Sequence, residues 1–131
     1  DMTRTVVIGK ADSEMKKVYE TVYAAQTAAL EAYDFGKTGA QIDAVAREII
    51  YKAGYEGCFG HGLGHGVGMD IHEAPGVSSA SATPFETGHV VTCEPGIYLE
   101  GKYGVRIEDM VVFGENSVED ITRSPKNLIE L

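Results

Sequence analysis

Cysteine is scarce in this sequence, with only Cys58 and Cys93 among 131 residues. Because the two do not form a C-x-x-C pair, a thiolate zinc site of the usual spacing and a dense disulfide framework are both excluded. Each cysteine adjoins an apolar or glycine-rich stretch, which is typical of a small buried side chain in a reducing compartment and predicts a cytoplasmic protein. The alternative is a nucleophilic Cys93 beside a histidine.

Positive charge and long apolar runs are scarce as well. There are 11 basic residues against 20 acidic ones, and the net charge of −9 excludes a general phosphate-binding surface and therefore nucleic acid as a partner. No apolar run approaches the length that spans a bilayer, so we expect no membrane segment. The surplus of carboxylates can instead hold divalent cations.

The first residues lack an initiator methionine and begin directly in a strand-like run. Nothing in them reads as a signal peptide, and we expect a fragment of a longer chain. The 131 residues are enough for one domain with a core, and too few for two ordinary domains.

The first third of the chain predicts a strand followed by a helix. Residues 3–8 are β-branched apart from one arginine, which favours a strand. The following apolar residues recur at helical spacing, and this helix is expected to start at Asp12 or Ser13 and to end at Gly36.

A second helix and several strands are expected next. Thr38 and Gln41 form a capping box, which predicts a helix that continues to about Gly54. The glycine-rich stretch after it is unsuited to a helix. The order of a strand, two helices and then strands predicts an α+β fold. The later segments are a short strand and turn in 69–79, two strands joined by a turn-rich connection in 89–113, and a last strand in 117–122.

Three of the four histidines cluster in one glycine-rich block, "HGLGHGVGMDIHE". His61 and His65 are four residues apart, so they face the same side of an extended chain, whereas His72 has the opposite parity. Only a bulge or a glycine bend between His65 and His72 brings all three together. Spacing alone supports one or two of them in a site, and surface histidines on a polar loop are the alternative.

Glu94 and Glu108 each interrupt an apolar, strand-like run. Burying a carboxylate there is costly unless a cation or hydrogen bonds compensate. One interpretation is structural: Arg106 pairs with Glu94 across a hairpin, and Glu108 faces water. The other is that both glutamates point at a common metal, with Asp1 on a strand alongside. One imidazole with three carboxylates suits Mn, Co, Fe or Zn.

Several blocks in this order and spacing closely resemble the C-terminal part of the Xaa-Pro dipeptidases and aminopeptidases. These are the prolidase branch of the metallopeptidases with the pita-bread (creatinase/aminopeptidase-like) fold. The resemblance implies a curved antiparallel sheet flanked by helices, with residues 1–131 forming an incomplete catalytic domain whose N-terminal portion is missing. The blocks are "DMTRTVVIG", "HGLGHGVGMDIHEAPG", "TCEPGIY" and "GVRIEDMVVF".

The resemblance also implies a metal centre of two divalent ions. By motif, Asp1 matches the family's second, bridging aspartate, His65 the histidine ligand, Glu94 the first glutamate and Glu108 the second, bridging one. The family's first aspartate lies upstream of these residues, so one of the two metal positions lacks a ligand here. Mn or Co is expected, with Zn or Fe as alternatives.

The same resemblance assigns roles in catalysis. Glu94 is expected to accept a proton from water and pass it to the leaving nitrogen. His61 and His72 match histidines that line the substrate pocket, hold the scissile carbonyl and shuttle protons. Arg106, two residues before Glu108 and on the same strand face, resembles an arginine that steadies the metal-site carboxylates.

The implied function is a metal-dependent exopeptidase that cleaves the bond before proline, in Xaa-Pro dipeptides or at peptide N termini, by metal-activated hydroxide. The expected partners are a proline-containing peptide and the missing upstream segment, and a homodimer is compatible with the sequence. The alternatives are a non-catalytic binding module with the pita-bread fold, a methionine aminopeptidase-like enzyme, and an α+β domain whose polar groups only face water. The fragment alone is expected to be weak or inactive.

Overall fold

A computed structural model describes all residues 1–131 and contains two helices, as expected. Helix α1 spans Ser13–Ala32 and is capped by Asp12, whose side chain accepts a hydrogen bond from the backbone of Met15. It ends before Gly36, because Tyr33 adopts an extended backbone and turns its ring into the core. Helix α2 spans Gly39–Lys52, and the capping box at its start is present as predicted.

The strands form one five-stranded antiparallel sheet and two strand pairs, which confirms the α+β prediction. The order in the main sheet is β3-β2-β4-β7-β8. Strands β5 and β6 form a separate hairpin, and β1 pairs with β9 in parallel. The strands are β1 (Val6–Val7), β2 (Gly64–Gly66), β3 (Glu73–Val77), β4 (Val90–Cys93), β5 (Gly96–Leu99), β6 (Tyr103–Arg106), β7 (Asp109–Phe113), β8 (Val118–Asp120) and β9 (Ile129–Glu130).

Two strand predictions are wrong in their extent. The stretch 89–113 holds four strands rather than two. One break falls at Glu94 and Pro95, where proline has no N–H for a ladder. Another falls at Ile107 and Glu108, where Glu108 bridges to Thr3 instead. The strand expected over 3–8 is reduced to two residues, because the chain pairs first with Glu108 and then with β9.

The hydrophobic core lies between the two helices and the sheet. Helix α1 packs against α2 and against the face of β4, β5 and β6. Phe85 and Phe113 stack with ring centroids 4.9 Å apart, and Tyr33 lies 5.4 Å from Phe85. No helix combines the length and the apolarity that crossing a membrane requires.

Candidate metal centre

His65 occupies the middle of β2, between β3 and β4. Its neighbour Gly64 lies so close to β4 that a Cβ atom there would meet the carbonyl oxygen of Thr92 at 2.1 Å, so only glycine fits. The chain that connects β2 to the antiparallel β3 bends over residues 68–72, which is the bend between His65 and His72 that the spacing required. As a result, the ring of His72 lies 4.2 Å from that of His65.

Three candidate ligands converge from distant parts of the chain. One ligand atom from each of Asp1, His65 and Glu108 lies within 4.8 Å of the others. The segment of Asp1 is brought to the site by an antiparallel bridge between Thr3 and Glu108. Glu108 is 3% exposed, so the interpretation in which it faces water is wrong. A buried carboxylate needs compensation, and the hydroxyl of Thr3 supplies part of it by donating to Glu108 Oε2.

Glu94 adjoins this group through His65. Its Oε1 lies 3.3 Å from His65 Nε2, and Asp1 Oδ2 lies 3.7 Å from the same nitrogen. The other ring nitrogen, Nδ1, is 3.0 Å from the carbonyl oxygen of Gly66, to which it donates in the neutral tautomer that leaves Nε2 free to bind a metal. An unprotonated nitrogen facing carboxylate oxygens is a donor set that fits a divalent cation.

Thr92 joins two of these candidate ligands and was missed at the sequence level. The side chain is fully buried, and its Oγ1 accepts the N–H of His65 over 3.0 Å and donates to Glu94 Oε1 over 3.0 Å. The hydroxyl of Tyr33 in turn donates to the carbonyl of Thr92. Because Thr92 lies two residues before Glu94 and shares its parity in an extended chain, the spacing held a signal for this contact.

Arg106 lies beside the carboxylates, although not on the strand face that was expected. Strand β6 ends at Arg106 and β7 begins at Asp109, so Arg106 and Glu108 do not share one strand. Arg106 Nε donates to the hydroxyl of Thr3 over 3.1 Å and lies 3.9 Å from Glu94 Oε2. The pKa of Arg106 is raised, and the largest cause is a hydrogen bond to the Tyr98 side chain. Burial opposes this by lowering the pKa, while the charges of Glu108 and Glu94 raise it further.

His61 is held by a partner that the sequence did not single out. Its Nε2 lies 2.7 Å from the hydroxyl of Tyr98, and its Nδ1 lies 2.7 Å from the carbonyl oxygen of Gly62. With Nδ1 donating to Gly62, Nε2 accepts the hydroxyl proton of Tyr98, so both ring nitrogens are engaged. Tyr98 belongs to β5, beyond the break at Pro95, and no spacing signal connects it with His61.

Five of the candidate side chains, but not those of Asp1 and Glu108, line a cleft of about 290 Å³. His72 is exposed at its edge, while His65 and Glu94 are 15% and 14% exposed at the side-chain level. No apolar side chain lines the cleft, so its contacts with a bound molecule are made by polar groups. The lining residues are His61, Gly62, Gly64, His65, His72, Glu94 and Arg106.

The two cysteines are free and lie apart from the lining of this cleft. Cys93 is fully buried, and burial raises the pKa of its thiol well above the usual value. Such a group holds little thiolate, so the structure does not favour a nucleophilic Cys93. Cys58 is half-buried.

Comparison with known proteins identifies the class to which this fold and site belong. The family model described as metallopeptidase family M24 matches residues 1–115. The chain therefore belongs to metallopeptidase family M24, and the resemblance seen in the sequence is confirmed.

Individual relatives carry more specific names. The chain is 44% identical over 129 residues to the Xaa-Pro dipeptidase of Pyrococcus furiosus and 47% identical over 131 residues to the uncharacterized peptidase YqhT of Bacillus subtilis. These alignments cover 98% and 100% of this chain, and 37% of each relative. The chain thus spans little more than a third of the length of these relatives.

Solved structures confirm the expected fold. The Xaa-Pro dipeptidase from Bacillus anthracis superposes with a TM-score of 0.96 at 45% identity, over 100% of this chain and 37% of that one. A recombinant prolidase from Thermococcus sibiricus gives 0.97 at 46% identity, over 100% and 36%. The N-terminal domain of the FACT complex subunit SPT16 from chickpea, at 18% identity and 0.85, shares the fold alone.

Proposed function

We propose that residues 1–131 form part of the catalytic domain of a metal-dependent exopeptidase that cleaves the bond before proline. The substrates are Xaa-Pro dipeptides or peptides with proline in the second position. The observation that carries the proposal is the convergence of Asp1, His65 and Glu108 within 4.8 Å, with Glu94 3.3 Å from His65. The names of the relatives, Xaa-Pro dipeptidase and prolidase, support the substrate class.

The proposed ligands are Asp1, His65, Glu94 and Glu108, and the proposed complement is two divalent ions. Mn or Co is proposed first, with Zn or Fe as alternatives, because oxygen ligands predominate over one nitrogen. The resemblance implies a further aspartate for the second ion, which we assign to a part of the protein outside residues 1–131. When bound, the ions lower the pKa of water and polarise the scissile carbonyl.

The side chains around the cleft supply the remaining chemistry. Glu94 is partly exposed to the cleft and accepts a proton from the attacking water, to be passed to the leaving nitrogen. The exposed His72 is free to donate to the carbonyl oxygen as charge develops there. His61, whose ring is engaged by Tyr98, also lines the cleft and contacts substrate.

Release of proline from an Xaa-Pro dipeptide tests this function. The chain is expressed at its full natural length, freed of metal and assayed with added Mn or Co. We expect metal-dependent release that is lost in His65→Asn and retained in His89→Asn, because His89 packs on Phe85 and Phe113 and does not line the cleft. Folded, metal-loaded protein that releases no proline would overturn the proposed activity and favour a binding module.

A further inference from the structure

The segment of Asp1 is attached to Glu108 by very few hydrogen bonds. Thr3 N donates to Glu108 O over 3.3 Å, and Glu108 N donates to Thr3 O over 3.0 Å, in an isolated bridge outside any strand. Arg4 reinforces this bridge, since its Nη1 donates to the same two carbonyl oxygens over 2.9 and 2.8 Å. Two candidate ligands are therefore held at their spacing by one bridge, one guanidinium group and the hydroxyl of Thr3, which donates to Glu108 Oε2.

The same guanidinium is anchored on a buried carboxylate. Asp109, which directly follows Glu108, is fully buried and accepts Arg4 Nη2 over 2.7 Å. Gln26 donates to its other oxygen over 2.6 Å, and Lys126 forms an ion pair with it. A buried charge is tolerated only when it is paired in this way, so the position of Asp109 is tightly determined.

The remaining contacts of Arg4 lead to the C-terminal segment. Its Nε donates to the carbonyl of Pro125 and its Nη2 to that of Ser124, each over 2.9 Å. Lys126 adds an ion pair with Asp120 over 3.2 Å. Arg4 thus makes five hydrogen bonds, which connect the Asp1 segment, the Glu108 segment and residues 124–125.

We infer that Arg4, Asp109 and Lys126 form a positioning unit that sets the spacing of Asp1 and Glu108, so that the C-terminal segment tunes metal affinity. The inference rests on the metal centre proposed above. Arg4 contacts the backbone carbonyls of Thr3 and Glu108 and not the side chains of the two ligands, so the unit acts through the backbone. Lysine cannot replace Arg4, because a single ammonium does not present five donors in a rigid planar fork.

The affinity of the protein for Mn²⁺ tests the inference, measured by calorimetry on the metal-free chain at its full natural length. Arg4→Lys is expected to bind Mn²⁺ at least about tenfold more weakly, which is the usual effect of removing a group that holds a metal ligand in place. Arg47→Lys is the matched control. Arg47 also pairs with a buried aspartate, Asp43, and donates to the carbonyls of Phe59 and His61, but it touches neither Asp1 nor Glu108.

Thermal unfolding of the metal-free variants separates positioning from stability. Both arginine variants are expected to unfold at lower temperature, and only Arg4→Lys is expected to lose Mn²⁺ affinity. Lys126→Gln, at a side chain that is 19% exposed, serves if Arg4→Lys does not fold, and a smaller loss of affinity is expected.

Two results would overturn the inference while leaving the metal centre in place. One is wild-type Mn²⁺ affinity in Arg4→Lys and Lys126→Gln. The other is an equal loss of affinity in Arg47→Lys, which would mean that general destabilisation is the cause. A wild-type protein that binds no Mn²⁺ would instead contradict the proposed metal centre, and the inference with it.

Discussion

Replacing Thr92 by valine removes the hydroxyl that joins His65 to Glu94 and leaves a side chain of similar shape. Thr92 is fully buried, so the N–H of His65 loses the acceptor that it reaches over 3.0 Å. An unsatisfied buried donor costs about 1–3 kcal/mol, and we expect the free energy of unfolding to fall by that amount. Glu94 loses the donor that orients its Oε1, and metal affinity is expected to fall about 10- to 100-fold.

Thr92→Ser is the matched control, because it keeps the hydroxyl and removes the methyl group. Loss of one buried methyl lowers the free energy of unfolding by about 1 kcal/mol. The metal-free forms are unfolded in urea, and Mn²⁺ is titrated into each by calorimetry. We expect both variants to be destabilised, and only Thr92→Val to bind Mn²⁺ weakly. Wild-type affinity in Thr92→Val, or an equal loss in Thr92→Ser, would refute the role assigned to the hydroxyl.

Three further changes test other parts of the account. Tyr98→Phe removes the hydroxyl that orients His61 and that Arg106 also contacts, so a roughly tenfold lower kcat is expected in the proline-release assay; Mn²⁺ affinity should not change, because Tyr98 has no hydrogen bond to the four proposed ligands, and an unchanged kcat would contradict the role given to this hydroxyl. Gly64→Ala places a Cβ atom 2.1 Å from a backbone oxygen of β4, so urea unfolding should show a loss of about 1–3 kcal/mol or more, and wild-type stability would argue against this packing. At pH 8 a thiol reagent should label the half-buried Cys58 and leave native Cys93 unreacted, because burial raises the pKa of Cys93; rapid labelling of both would contradict its burial.

Much of the helical half of the fold could be predicted from the sequence, because its signals are local. The capping box of Thr38 and Gln41 marks the start of α2, and Asp12 marks that of α1. The end of α1 was misplaced because it is decided by a tertiary contact. Tyr33 leaves the helix and donates a hydrogen bond to a backbone oxygen of β4, which is distant in sequence.

Strand β2 was harder to predict, because its glycines are required by the close approach of neighbouring strands and not by strand propensity. Strand β2 is Gly-His-Gly, and Gly64 is required by the backbone of β4 and not by any local preference. The glycine block therefore looked like a loop, although the bend needed between His65 and His72 could be inferred from their parity.

The candidate site was only partly visible in the sequence. His65, Glu94 and Glu108 stood out because polar residues interrupted apolar or glycine-rich runs. Arg4 did not stand out, since most of its contacts are to groups more than 100 residues along the chain. Thr92 could be connected with Glu94 by spacing, but its bond to the N–H of His65 depends on the pairing of β2 with β4. The residues that support the candidate ligands were therefore identified only from the structure.

The most direct test of the metal centre is anomalous diffraction at the manganese edge, from crystals of the chain at its full natural length grown with Mn²⁺. The account predicts a peak bounded by Asp1, His65, Glu94 and Glu108, at about 2.0–2.3 Å from His65 Nε2. Tightly bound Mn²⁺ located elsewhere, with these four side chains free of metal, would contradict it.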